Sequence, residues 1–338
     1  MNRLLKILYV ALLVLAISSC KKVLESADPA VEPVDPTLVS LDVAIEVSIS
    51  SYLEFQLYGA GTKSDGSDSY YLRTIIELYD QDDMTAPMTT QTLYNPYSDI
   101  ENLNILFTED LKAKKYTLAV WCDIVEEYNS GDNFFYTGST LSQIKYLEPY
   151  VGNTELKSCF SDVVEIDLTP YADRWYGVYE CNIELERPQA MFEIISTDLE
   201  KFFDKQGDSI DSDTNFENYT VKVSYDGYMP YGYNALTEKP NEAQQGISYM
   251  TNLEILSATE ARLAFDQVFV NHTESGVNVS LVVYDENGDT VVEVSSQAIT
   301  INRNMKTVIT GEFLTSDYVP GIGIDPSFDG EYNIVIPD

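Results

Sequence analysis

The stretch Leu41-Asp42-Val43-Ala44-Ile45-Glu46-Val47-Ser48-Ile49 places a large aliphatic side chain at every odd position and a small or polar one between. Successive side chains on a strand point to opposite faces, so this pattern spells a strand buried on one face only. The same period of two returns over Tyr70 to Tyr79, Tyr116 to Ile124, Gly177 to Glu186, Met191 to Ile195 and Tyr219 to Tyr225. It continues over Arg262 to Val270, Val277 to Tyr284, Thr290 to Ser296 and Thr307 to Phe313. Asn287-Gly288 separates two of these runs and suits the positive φ angles of a tight hairpin turn. Only short helices are expected, the best being Thr197 to Lys205, with Thr197 or Asp198 placed to cap its first turn. These runs predict an all-β chain.

Composition narrows the function. The 338 residues carry 55 acids against 20 bases, a formal charge of −35. Such a field repels phosphate backbones, which excludes nucleic acid as a partner and argues against charge-driven adhesion to anionic lipid. Apolar residues at 44% and aromatics at 12% supply material for a core, so the chain is not a disordered acidic segment. His272 is the single histidine, and mechanisms needing two imidazoles are excluded.

The N-terminus reads as an address. Arg3 and Lys6 precede an apolar run from Ile7 to Ile17, which ends in Ile17-Ser18-Ser19-Cys20. That is a secretory signal peptide over 1–19, too short for a spanning helix. The small residues before Cys20 resemble the lipobox of bacterial lipoproteins, in which that cysteine is acylated and becomes the first residue. Residues 20–39, with Pro29, Pro33 and Pro36, read as a tether. In polyproline II at about 3.1 Å per residue, its residues 21–37 reach roughly 50 Å. Of the remaining cysteines, Cys122, Cys159 and Cys181, at most one pair can bridge, and none has zinc-ligand spacing. Cys122 shares strand parity with Leu118, Val120 and Ile124, so it is expected as a buried, inert thiol. Arg187-Pro188 ends one strand run just before another begins, which sets the expected boundary between domains 40–187 and 188–338.

The run Arg187-Pro188-Gln189-Ala190-Met191-Phe192-Glu193-Ile194-Ile195-Ser196-Thr197-Asp198 resembles the strand that opens the second domain of fimbrillin-like lipoproteins. Arg303-Asn304 followed by Lys306 to Gly311, Trp121 within Tyr116 to Asp123, and the Gly321 to Gly330 segment are similar to later motifs of that family, beside the FimB-type fimbrial anchors. The resemblance implies two tandem transthyretin-like (Greek-key) β-sandwich domains. It also implies a lipid-anchored place on a Gram-negative outer membrane and other fimbrial subunits as partners. Shaft subunits of the family are matured after an arginine following the first strand. Here the first arginine beyond the signal peptide is Arg73, inside a strand run, so the first strand and the lipid are expected to stay.

Candidate chemistry is sparse. His272 lies between two strand runs and reads as a turn residue, with no nucleophile elbow in the chain to serve it. Asp211-Ser212-Asp213-Thr214-Asn215 begins like a calcium loop, but Phe216 replaces the turn glycine and Lys222 the bidentate acid. Asp285 to Asp289 is explained by its hairpin. No cofactor, metal or catalytic residue is expected. The densest aromatic cluster is Tyr228-Met229-Pro230-Tyr231-Gly232-Tyr233. Tyr228, Tyr231 and Tyr233 are the candidate partner or glycan contacts, unless these rings pack over the end of a sandwich. The expected function is non-enzymatic: a fimbrial anchor or accessory subunit, with a surface glycan-binding lipoprotein as the alternative.

Overall fold

A computed structural model describes residues 35–47, 70–97, 104–126, 135–206, 219–315 and 331–335. The opening strand β1 (Val39–Val47) forms as its alternation requires. Val39, Leu41, Val43 and Ile45 are fully buried, whereas Ser40, Asp42 and Ala44 are half-buried and Glu46 is exposed. The rest of the N-terminal half supplies β2 (Tyr71–Asp80), β3 (Thr89–Pro96), β4 (Asn104–Leu111), β5 (Lys115–Val125) and β6 (Tyr136–Thr137). It continues with β7 (Ile144–Tyr146), β8 (Cys159–Asp167) and β9 (Gly177–Leu185). One sheet has the order β4-β1-β9, with β1 antiparallel to β4 and parallel to β9. The facing sheet runs β3-β2-β5-β8. Leu41, Val43, Leu72, Ile76, Leu118 and Phe107 fill the space between them.

The C-terminal half repeats the architecture. Its elements are β10 (Gln189–Ser196), α1 (Leu199–Gln206), β11 (Thr220–Tyr225), β12 (Tyr228–Asn234), β13 (Lys239–Gln245), β14 (Ser248–Asn252) and β15 (Glu254–Ile255). Then come β16 (Ala261–Phe269), β17 (Glu274–Tyr284), β18 (Thr290–Asn302), β19 (Lys306–Gly311) and β20 (Glu331–Val335). A sheet of order β15-β16-β10-β19-β20 faces one of order β14-β11-β17-β18. Phe192, Ile194, Val221, Val223 and Leu281 lie between, and α1 adds Leu199, Phe202 and Phe203. The chain is all-β, two β-sandwiches in tandem, with non-consecutive strands adjacent as Greek-key connections require.

The halves do not merely touch. A fifth sheet, β13-β12-β7-β6, takes strands from both sides of Arg187-Pro188, pairing Gly232 with Lys145 and Tyr233 with Ile144. Trp121, Tyr136, Tyr146 and Cys159 share one apolar cluster with Phe192, Leu263 and Phe269. Arg187 itself is buried, its guanidinium 5.0 Å from the Phe160 ring centroid. The chain therefore changes sheets at this dipeptide, but its apolar interior continues across it.

Two local expectations need correction. In the Asn287-Gly288 hairpin only Gly288 has positive φ, at +81°. The loop is wider than a two-residue turn because the Asp285 carboxylate accepts the backbone N–H groups of Asn287 and Asp289, each at 2.9 Å. The helix begins at Leu199, and the Asp198 carboxylate is spent elsewhere. It accepts the N–H groups of Leu314 at 3.2 Å and Thr315 at 2.7 Å, holding the segment after β19.

Burial on one face of β1 has a measurable consequence. Replacing Leu41 by Ala is expected to cost about 2–5 kcal/mol in urea denaturation. Ala44→Ser on the opposite face should stay within about 0.5 kcal/mol.

Candidate functional site

The tyrosine cluster lies on β12, where the ladder with β13 is irregular at Gly232 but the side-chain alternation holds. A Cβ on Gly232 would meet Asn241 Oδ1 at 2.6 Å and the Ile144 carbonyl oxygen at 3.3 Å, and the ladder with β13 shifts register there. Tyr231 and Tyr233, two residues apart, share the inward face of β12 with Met229, and Tyr228 falls on the other face. Tyr233 is fully buried, its ring stacked on Phe269 at 5.1 Å between centroids and 6.3 Å from Trp121. Tyr231 is buried too, and its hydroxyl donates to Glu148 Oε1 at 2.9 Å. Neither ring offers a face to a ligand. Tyr228 is 70% exposed and stands on an open groove of about 480 Å³, with Pro230, Asn241, Glu242, Asn271 and Ser275 around it. Of the three candidate contacts, only Tyr228 is on the surface.

The junction between the halves holds a charged cluster that periodicity did not single out. Lys157, just before β8, pairs with Asp266 in the middle of β16, both essentially inaccessible. The hydroxyls of Tyr150 and Tyr225 each donate to Asp266 Oδ2 at 2.7 Å. The Lys157 ammonium also donates to Tyr150 Oη at 2.8 Å and to the Val151 carbonyl at 3.1 Å. It lies 4.4 Å from the Tyr150 ring centroid and 5.0 Å from that of Tyr146. Burial pulls Lys157 below the usual lysine range, and the Asp266 carboxylate partly restores it. Burial, with Asp266 alongside, pushes both tyrosine hydroxyls well up. Perturbed groups of this kind often mark catalysis. Here the neighbouring cavity is about 10 Å³, room for about one water molecule, so no substrate reaches the ammonium. The cluster is a pin between the halves. The one sequence signal for it is an acid inside the apolar run Arg262 to Val270.

The remaining candidates are soon placed. Arg73 is buried within β2 and forked onto Asp123 of β5, Nε to Oδ1 at 2.8 Å and Nη2 to Oδ2 at 2.5 Å. His272 is exposed between β16 and β17. Cys122, Cys159 and Cys181 are free thiols, and burial pushes Cys122 up to about 12. Cys20, Asp211 to Asn215 and Gly321 to Gly330 lie outside the described residues. Among the described residues no three His, Cys, Asp or Glu side chains converge as metal ligands, and no helix is long and apolar enough to cross a membrane.

Removing one member of the buried pair strands the other charge. Lys157→Met or Asp266→Asn is expected to destabilise the chain by about 3–5 kcal/mol in urea denaturation. The double variant should cost less than the sum of the two. A thiol-exchange assay on the native protein should find Cys122 and Cys159 unreactive, with Cys181 the faster of the three.

Comparison with known proteins places the chain without naming an activity. No curated protein matches it. Among solved structures it is similar to a candidate adhesin from Bacteroides ovatus, at 14% identity and TM-score 0.41, covering 76% of this chain and 77% of that one. A candidate polysaccharide-binding protein from Bacteroides thetaiotaomicron follows at 13% and 0.43, with 76% and 80% covered. The fimbrial anchor protein Mfa2 from Porphyromonas gingivalis is similar at 15% and 0.41, with 75% and 82% covered. A protein-family model matches residues 36–337, most of the chain, and the chain belongs to that family, DUF6562, a family of unknown function.

Proposed function

We propose that the chain is a non-enzymatic, lipid-anchored protein of the outer membrane surface, and that it anchors or terminates a fimbrial fibre. The observation that carries this reading is the seat of β1. Its ladder pairs eight residues with β4 and nine with β9, and its four inward aliphatics are sealed in the core. Fully burying each such side chain contributes about 1.5–3 kcal/mol, so the strand is held firmly. Arg73, the first arginine beyond the leader, lies in a three-strand ladder and in a buried ion pair. Proteolysis there would require extracting backbone from both neighbours. Retained β1 keeps the tether and Cys20 attached. A neighbouring subunit then joins through an edge: β3 and β4 are outermost strands of their sheets among the described residues, and an added strand pairs along their outer edge.

Among the described residues, those that carry the fimbrillin-like resemblance in the second sandwich sit at or beside its sheet centre, which supports the reading. Met191 to Ser196 run along β10, at the centre of its sheet. Arg303-Asn304 makes the turn into β19, Asn304 at φ +56°, and β19 pairs parallel to β10. The glycan-binding alternative rests on Tyr228 and the polar groove beside it, which together offer a flat ring and hydrogen-bonding groups.

N-terminal analysis of protein from fimbriated cells tests the proposal. The expected mature form begins at an acylated Cys20, and Cys20→Ala should move the protein from membranes to soluble fractions. A form beginning at residue 74 along the shaft would instead make this a polymerising subunit. Retained shaft assembly but lost glycan-array binding in Tyr228→Ala would favour the alternative.

A further inference from the structure

Exposed apolar side chains are concentrated at one end of the N-terminal sandwich. The register fixes which loops meet there. Val39 of β1 is paired with Leu111 of β4 and Gly177 of β9, and Asp80 of β2 with Tyr116 of β5. Hence the incoming chain at Asp35–Leu38, the turn after β2, the turn between β4 and β5, and the loop before β9 share one pole. Backbone bonds tie them together: Tyr176 N–H to the Pro36 carbonyl at 3.0 Å, Gln81 N–H to Lys115 at 3.1 Å, and Leu168 N–H to Lys114 at 2.8 Å.

On this pole Trp175 is 72% exposed, Tyr176 68%, Met88 50% and Met84 39%, and Val178 beside them on β9 is also exposed. Tyr176 is held at φ +56°, a backbone conformation that side chains rarely adopt. Lys114 neutralises Asp80 at 2.9 Å and Asp82 at 3.0 Å, and Lys115 lies 3.5 Å from Asp167. Local acids are thus partly compensated in a chain of strongly negative charge. Tryptophan and tyrosine suit a membrane–water boundary because each combines an apolar body with a polar tip.

The geometry points to this pole as a second membrane contact, in which Trp175, Tyr176, Met84 and Met88 rest in the interface of a zwitterionic phospholipid surface. The inference rests on the proposed acylation of Cys20, since the acyl group and the pole are then joined by residues 21–34, and the chain enters the fold at the pole itself. The acyl chains would supply the affinity, while the aromatic pole sets how the sandwich stands on the membrane.

Two tryptophans make the test clean. Trp121 is buried, so lipid-borne quenchers read Trp175. The mature chain is reconstituted in vesicles of phosphatidylcholine and phosphatidylethanolamine carrying brominated acyl chains. Expected are a blue shift and quenching of about half the tryptophan emission, both lost in Trp175→Phe with unchanged circular dichroism. Vesicle-bound protein whose Trp175 stays unquenched would overturn the inference. So would protection of Trp175 from acrylamide without lipid, which would mean that residues 21–34 cover the pole. Failure to float with vesicles would overturn acylation of Cys20 instead. The same vesicles at high concentration then read the pole separately: quenching upholds it and its absence refutes it.

Discussion

Asp266 is a charge buried in an apolar strand, and the two halves of the chain meet by satisfying it. Its carboxylate takes a lysine from before β8, a tyrosine from the loop after β7 and a tyrosine from β11. An uncompensated buried carboxylate costs several kcal/mol, so these contributors must arrive together. Around it, Trp121, Tyr146, Tyr233 and Phe269 make tilted and stacked contacts that fill the junction. The polar centre needs the aromatic shell to exclude water, and the shell needs both sandwiches for its walls. Much of the chain's stock of 25 tyrosines is thereby explained as architecture.

The surface follows the opposite logic. Acids crowd the outward faces, as in β1, where Asp42 and Glu46 alternate with the buried aliphatics. Such a surface discourages adhesion to anionic partners through charge. Contacts with a partner must therefore come from backbone at a sheet edge or from local apolar exceptions. Tyr228 on β12 and the Trp175–Tyr176 loop are two such exceptions, at separate places on the molecule.

Legibility of the fold varied with chemistry. Strands buried on one face, such as β1 and β17, announce themselves through period two. β13, Lys239–Gln245, has almost no apolar residue and is invisible to that criterion, because it is held by its hairpin with β12 and leaves its side chains largely in solvent. β8 reads Cys-Phe-Ser-Asp-Val-Val-Glu-Ile-Asp and blurs the period, because its first residues are buried on both faces at the junction. The helix was placed within two residues, but the role of Asp198 depended on a segment more than 110 residues away.

The sequence by itself determined the all-β class, the inward face of each amphipathic strand and the burial of Cys122, since all three depend on local period and side-chain type. Only the tertiary structure decided which tyrosines face water. Parity sets Tyr228 on the opposite face from Tyr231 and Tyr233, and the seating of β12 against Trp121 and Phe269 decided that the odd-numbered face is the buried one. The pairing of Lys157 with Asp266, 109 residues apart, and the gathering of Met84, Met88, Trp175 and Tyr176 at one pole were likewise decided by strand register. Long-range register is a property of sheets closing on one another, and no single segment carries it.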